Sequence, residues 1–228
     1  MIVYHGSYTK IEEIDLSMTM PRKDFGRGFY VTKFRQQAEN WAKRIGKDNN
    51  CEGVVTEFIF YENAFVDGVH KVLRFNGYTD DWFDFVVLNR RKDSPIRDHD
   101  YDIIEGPVAD DRISQNITQY LKGKISREKF FEILRREEEP THQICFCTAD
   151  SLLMIELKDK NAEIGYEISE IGEQLLKKLV IEQHIDEEQA ADLFYSSTTF
   201  GKLADISTEF YKKSWQEIYE MLKIELKK

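Results

Sequence analysis

The sequence predicts an α+β fold followed by a small all-helical region, on three observations. Short runs rich in β-branched and aromatic residues are confined to the part before Leu157. Between them lie segments whose apolar residues recur three and four apart, without the regular strand and helix alternation of a doubly wound sheet. After Leu157 only the helical spacing continues.

The strands are expected at Ile2 to His5, Gly28 to Thr32, Val54 to Phe60, Lys71 to Phe75, Tyr101 to Pro107 and His142 to Cys147, each bounded by turn formers or charges. Helices are expected at Gln36 to Ile45, Asp80 to Arg90, Ile113 to Leu121 and Arg127 to Glu138. No Gly-rich phosphate loop follows the first strand, which argues against a dinucleotide fold of the doubly wound type. The polar stretch Lys158-Asp159-Lys160-Asn161 reads as a boundary, giving a first domain over 1–157 and a helical accessory domain over 162–228. In the second, helical stretches fall near Ile164 to Gln183, Glu187 to Tyr195, Gly201 to Phe210 and Trp215 to Glu225. Asp186 and Ser214 are N-cap candidates, and Ser214 with Glu217 has the capping-box spacing. Leu176, Leu179, Val180, Leu193, Phe194, Phe210, Tyr211, Trp215, Tyr219 and Leu222 supply the apolar surface of a bundle.

Composition narrows the function classes. The chain has 228 residues, 13% aromatic and 32% charged, which is neither disorder nor a membrane span. The opening Met1-Ile2-Val3-Tyr4-His5 has no basic region, apolar run or cleavage site of an export signal, so a cytoplasmic protein with no membrane partner is expected. Cys51, Cys145 and Cys147 are too few and too unevenly spaced for a disulfide framework or a four-ligand zinc site; they are expected to be reduced core or near-core residues, with no metal. The net charge of −10 is unlike that of a general nucleic-acid binder. Residues 1 to 50 hold nine Lys and Arg against six acids, so that stretch is +3 and the remainder −13. A locally positive region in an acidic protein suits an anionic small molecule, and equally suits a few solvated lysines.

The most informative stretch is Asp24-Phe-Gly-Arg-Gly-Phe-Tyr-Val-Thr32. Gly26 and Gly28 allow positive φ or a close approach to a ligand, and Tyr30 begins a strand. Trp41 stands eleven residues later on the next helix. A strand feeding a helix that packs back on it can bring Tyr30 and Trp41 to opposite sides of a slot for a flat heteroaromatic ring; alternatively both fill the core. At the start of the chain, Tyr4-His5-Gly6-Ser7 puts a histidine at a strand end, where one ring nitrogen can bond a ribose hydroxyl, beside a glycine whose bare backbone can bond a ligand amide. In the late strand, alternation puts Gln143, Cys145 and Cys147 on one face, with Gln143 best placed to enter a cleft. The run Gly106-Pro-Val-Ala-Asp-Asp111 reads as a turn with Asp110 or Asp111 as N-cap, or as a cleft-lining loop. Arg22, Lys23 and Arg27 either meet a pyrophosphate or are solvated loop charges.

Taken together, His5-Gly6-Ser7, then Gly26-Arg27-Gly28-Phe29-Tyr30, then Ala38-Glu39-Asn40-Trp41 resemble the ADP-ribosyltransferase superfamily, in its diphtheria toxin and poly(ADP-ribose) polymerase branch. The resemblance implies a split β-sheet core with flanking helices and NAD consumed as substrate. It implies that His5 contacts the NAD ribose, that the Gly6 backbone grips the nicotinamide amide, and that Tyr30 and Trp41 stack on the ring. Ser7, Gly28 and Arg27 fall within the same cofactor-binding motifs. Two departures stand out: Trp41 replaces the usual Tyr, and Gln143 stands where the superfamily has a catalytic Glu. A neutral amide can align a ribose but cannot act as a general base; the nearest acids in sequence are Glu137, Glu138 and Glu139. Gln143 and His5 are therefore the catalytic candidates, acting by orientation.

Over roughly residues 2 to 157 the chain is also similar to an uncharacterised bacterial family of that superfamily, through Tyr4-His-Gly-Ser7, Asp24 to Tyr30, Trp82 with Phe85 and Asn89-Arg90, Tyr101 to Asp111, and Gln143 with Phe146 and Thr148. In that company Gln143 is the usual residue. The C-terminal helices resemble a small helical family found beside such transferases, which suggests target recruitment or shielding of the cleft. The resemblance implies a bacterial toxin or effector, a protein or nucleic-acid acceptor, and an antitoxin or immunity protein as partner. A binding module for NAD or ADP-ribose without turnover is the alternative.

Overall fold

The computed structural model describes residues 1–91, 99–134 and 141–227. The chain divides into two compact units, Met1–Leu157 and Lys158–Lys228.

The first unit is built on two sheets. One has the order β1-β3-β7, formed by β1 (Ile2–Ser7), β3 (Val54–Phe60) and β7 (Ile155–Leu157), all antiparallel. The other has the order β2-β6-β5-β4, formed by β2 (Phe29–Val31), β6 (Gln143–Phe146), β5 (Ile103–Gly106) and β4 (Val72–Arg74); only β4 and β5 run parallel. A single bridge, Tyr4 to Thr32, joins β1 to the end of β2. β7 was not expected from the sequence: three residues are too few to show a period, and this strand exists by pairing with Phe58 to Phe60.

Alternation along the strands makes two cores. Phe29, Val31, Ile103, Ile144 and Phe146 meet Val3, Phe58, Phe60 and Ile155 of the β1 sheet. On the opposite face, Cys145, Cys147 and Ile104 meet Phe25, Trp82, Phe83, Val86, Ile113, Ile117 and Phe130. The second group comes largely from α2 (Asp80–Arg90), α3 (Asp111–Leu121) and α4 (Arg127–Leu134). Trp82 is fully buried, and its indole Nε1 donates to the Pro107 carbonyl at 3.1 Å, which removes the cost of burying that polar edge. The tail of the expected fourth helix, residues 135–138, lies outside the described residues.

Helix α1 (Arg35–Asp48) packs on β1 and β3. A Cβ on Gly6 would stand 2.3 Å from the Ala38 carbonyl oxygen and 3.0 Å from the Ala42 nitrogen, so the bare backbone of Gly6 is what lets the helix sit this close. Asp110, rather than Asp111, caps α3, accepting from the Ile113 amide at 2.9 Å.

The second unit is all helical: α5 (Lys160–Gln183), α6 (Glu187–Tyr195), α7 (Thr198–Ala204) and α8 (Trp215–Leu226). Helix α5 starts inside the expected polar boundary because Asp159 caps it, accepting from the Asn161 and Ala162 amides. The capping boxes of Asp186 with Gln189 and Ser214 with Glu217 are formed. The helix expected over Gly201 to Phe210 is instead α7 followed by two 3-10 turns, Ile206–Thr208 and Phe210–Lys212. Asp205 leaves the helical region and Glu209 adopts φ 53°, so the path is broken twice. Leu175, Leu179, Ala190, Phe194, Leu203, Ile218, Tyr219 and Leu222 form the core of this unit, whereas Leu193 remains exposed. Among the described residues no helix is long and apolar enough to cross a membrane. Cys145 and Cys147 are buried free thiols, as expected of core or near-core residues, but Cys51 is exposed, a correction for that one cysteine.

Candidate functional site

The two sheets part where β1 and β2 diverge. Tyr4 and Thr32 exchange both backbone hydrogen bonds, at 2.8 and 2.9 Å, and Met1 exchanges the same pair with Phe60 on the other side. In an antiparallel ladder the backbone groups of successive residues point to alternate edges. Val3 and His5 therefore face β3, and Gly6, like Tyr4, turns its N–H and C=O to the β2 edge. Two residues beyond the bridge, β2 has already left for its own sheet, where Tyr30 pairs with Cys145. The gap is spanned by a side chain: His5 Nδ1 donates to the Tyr30 carbonyl at 2.7 Å, and its ring stacks on Phe29 at 4.6 Å. Because a carbonyl only accepts, Nδ1 carries the proton, leaving Nε2 as the acceptor of the neutral ring. Burial pushes the His5 pKa below its ordinary value, partly offset by the Tyr30 carbonyl, so the ring stays neutral at neutral pH.

Tyr30 lies on the helical-side face of its sheet with Cys145. Its hydroxyl donates to the Gly26 carbonyl at 2.8 Å and accepts from the Phe25 amide at 3.0 Å. These bonds hold the 25–30 loop, in which Gly26 adopts φ 77°. Burial, with the neighbouring Cys145 and Asp24, raises the Tyr30 phenol well above its usual range, so it remains a donor. Gly28 has no positive φ; a Cβ there would meet Cys145 Sγ at 2.3 Å and the Phe146 carbonyl at 2.7 Å. Packing against β6 accounts for that glycine.

Gln143 sits at the start of β6, 7% exposed. Its Nε2 donates to Asp24 Oδ2 at 2.8 Å and to the Pro107 carbonyl at 3.1 Å. Asp24 is 4% exposed and is the hub of the region. Its Oδ2 also accepts from the Ala109 amide at 2.8 Å, and its Oδ1 accepts from Arg90 Nε at 2.8 Å and pairs with Arg90 Nη2 at 2.5 Å. A buried carboxylate is tolerated here because every donor is in place. The adjacent residue Phe25 carries the amide bonded to Tyr30, so Asp24 ties Gln143, Arg90 and the Tyr30 loop into one network.

Trp41 is exposed on α1, 43% accessible, with Arg44 5.1 Å and Lys23 6.0 Å from its ring centre. Arg44 also bonds Asp111 at 2.6 Å. Among the described residues Trp41 and Tyr30 make no ring contact with each other. The structure therefore joins His5 to Tyr30, and Gln143 to the Tyr30 loop, and sets Gly6 against Ala38 and Ala42 of the helix that carries Trp41. Ser7 pairs with Val54 at the end of β1. Arg27 donates from Nη1 to the Ser17 carbonyl at 3.1 Å, while its Nε is buried without a hydrogen bond among the described residues. Glu137, Glu138 and Glu139 lie outside the described residues.

A second polar cluster pins α1 to β6. Gln37 holds the His142 backbone from both ends of its amide, and His142 Nε2 donates to Glu105 Oε1 at 2.9 Å. Burial alone would raise the Glu105 carboxyl, but the bonds from His142 and Arg74 hold it below its ordinary value. Sequence reasoning did not assign roles to Asp24, Arg90, Gln37 or the Glu105 and His142 pair. One signal was available: Arg90 follows Trp82, Phe83 and Val86 at helical spacing, and a cation on the apolar face of a helix needs a buried partner.

These features define an α+β protein with two sheets that part at one bridge beside a buried carboxylate and amide network. The chain belongs to the family described as protein of unknown function (DUF3990), which it matches over residues 1–157. No curated protein and no solved structure matches it.

Proposed function

We propose that the first unit binds NAD at the parting of β1 and β2 and transfers ADP-ribose from it to a protein or nucleic-acid acceptor. The observation that carries this reading is Gly6: its N–H and C=O face the gap just past the Tyr4 and Thr32 bridge, a donor and an acceptor spaced as a carboxamide requires. His5 Nε2 and Gln143 would fix the ribose, and the exposed Trp41, flanked by Lys23 and Arg44, would wall a slot for the nicotinamide and its anionic neighbour. The glycosidic bond to nicotinamide breaks as the ribose carbon bonds the acceptor; nicotinamide leaves, and the acceptor's proton passes to solvent. Catalysis is then orientation and leaving-group binding. In this reading the protein is a cytoplasmic bacterial toxin or effector, with an antitoxin or immunity protein as partner and the helical unit recruiting the target.

A specific observation favours a second reading, an NAD or ADP-ribose binding module without turnover. The residue on β6 is an amide, and the carboxylate beside it, Asp24, is committed to Arg90 and Ala109. Incubating the purified protein with labelled NAD and bacterial lysate separates the two. Label in a nuclease- or protease-sensitive product, lost in His5→Ala, supports the transferase. Calorimetric NAD binding with no label and no free nicotinamide supports the module, and no binding refutes both.

A further inference from the structure

We infer that Asp24, held by Arg90, is a positioning residue that locks the Gln143 amide so that only its carbonyl oxygen is offered to a ligand. Both acceptors around Nε2, Asp24 Oδ2 and the Pro107 carbonyl, take its two N–H groups, which fixes the orientation of the amide. Oε1 accepts no hydrogen bond among the described residues and keeps some contact with solvent in a side chain that is otherwise buried. Gln143 is thus an acceptor-only contact, and the ligand group it recognises is a hydroxyl donor. Identifying that hydroxyl as one of ribose rests on the NAD reading above; the lock itself does not.

The lock has a consequence for residue choice. Glutamate at 143 would place a second carboxylate against Asp24 Oδ2 and the Pro107 carbonyl, with no proton to share between three acceptors. Glutamine is therefore what this frame requires, and the acid common at such a position in the resembling superfamily would not be a repair here. Among the described residues, the titratable or charged groups around Gln143 are Asp24 and Arg90, with Tyr30 and Cys145 on the same face.

The test is the stability of full-length Gln143→Glu against wild type by urea unfolding at pH 8 and pH 5. The expected result is an unfolding constant raised at least tenfold at pH 8, with the gap closing at pH 5, where a proton between the two carboxylates restores the missing donor. The double variant Asp24→Asn/Gln143→Glu should lose this pH dependence, since an amide again faces a carboxylate. Folding at pH 5 but not at pH 8 also supports the lock. Equal stability at both pH values, or failure to fold at both, overturns it. NAD titration by calorimetry forms a separate arm. Gln143→Met, which has no acceptor oxygen, binding NAD as tightly as wild type at pH 8 overturns the acceptor-only contact, whereas a wild type that does not bind NAD refutes the proposed function and leaves the unfolding arm to decide the lock.

Discussion

Replacing Arg90 by Met should be among the most damaging single changes in the first unit. Arg90 gives Asp24 two of its four donors, and Asp24 is 4% exposed. What remains after Arg90→Met is a buried carboxylate with two neutral donors, the Ala109 amide and Gln143. Breaking such a pair from one side costs about 3–5 kcal/mol, because the stranded charge is the expense. Removing the charge as well, in Asp24→Asn/Arg90→Met, should cost less than the sum of the single changes, with a coupling of about 2 kcal/mol or more. Met fills much of the Arg stem, so lost packing is a small part of the effect. Urea unfolding of the wild type, both singles and the double gives the coupling directly. Additivity to within about 0.5 kcal/mol would refute the view that Arg90 is there to hold Asp24.

Gly6→Ala forces a Cβ to 2.3 Å from the Ala38 carbonyl, a backbone atom that cannot rotate aside, so α1 must shift; a loss of about 1–3 kcal/mol is expected, and unchanged urea midpoints would contradict it. Gly201 on α7 has open space and no positive φ, so Gly201→Ala should stabilise the helical unit by about 0.5–1 kcal/mol, read as a higher midpoint for its circular dichroism transition. Glu225 caps α7, accepting from the Thr199 hydroxyl at 2.7 Å and from the Thr198 and Thr199 amides at 2.6 and 3.0 Å, bonds that pull its pKa down to about 2. A carboxyl depressed in the folded state stabilises above its unfolded pKa of about 4.3 and loses that contribution as pH falls toward 2. Glu225→Ala should therefore cost about 1 kcal/mol at pH 7, a gap that narrows between pH 4 and pH 2; a gap constant across that range would rule out the cap.

Much of the secondary structure was legible in the residues because its causes are local. Val54 to Phe60, Asp80 to Arg90 and Glu187 to Tyr195 have the bounds their periods indicate, and Asp186 and Ser214 cap as their spacing requires. The motif residues His5 and Tyr30, 25 positions apart, are also brought into contact. What the residues could not show is where partners distant in the chain meet. Asp24 and Gln143 are 119 positions apart, and no local pattern distinguishes a buried, fully bonded carboxylate from a solvated one. The same holds for β7, which exists only by pairing with β3, and for the two glycines whose necessity is set by a helix and a strand from elsewhere in the fold. Local chemistry determined the elements, their caps and the motif. The packing of those elements decided that Gly28 serves β6, that Trp41 faces solvent, and that Gln143 can offer only an oxygen, because each depends on which atoms fill the space opposite.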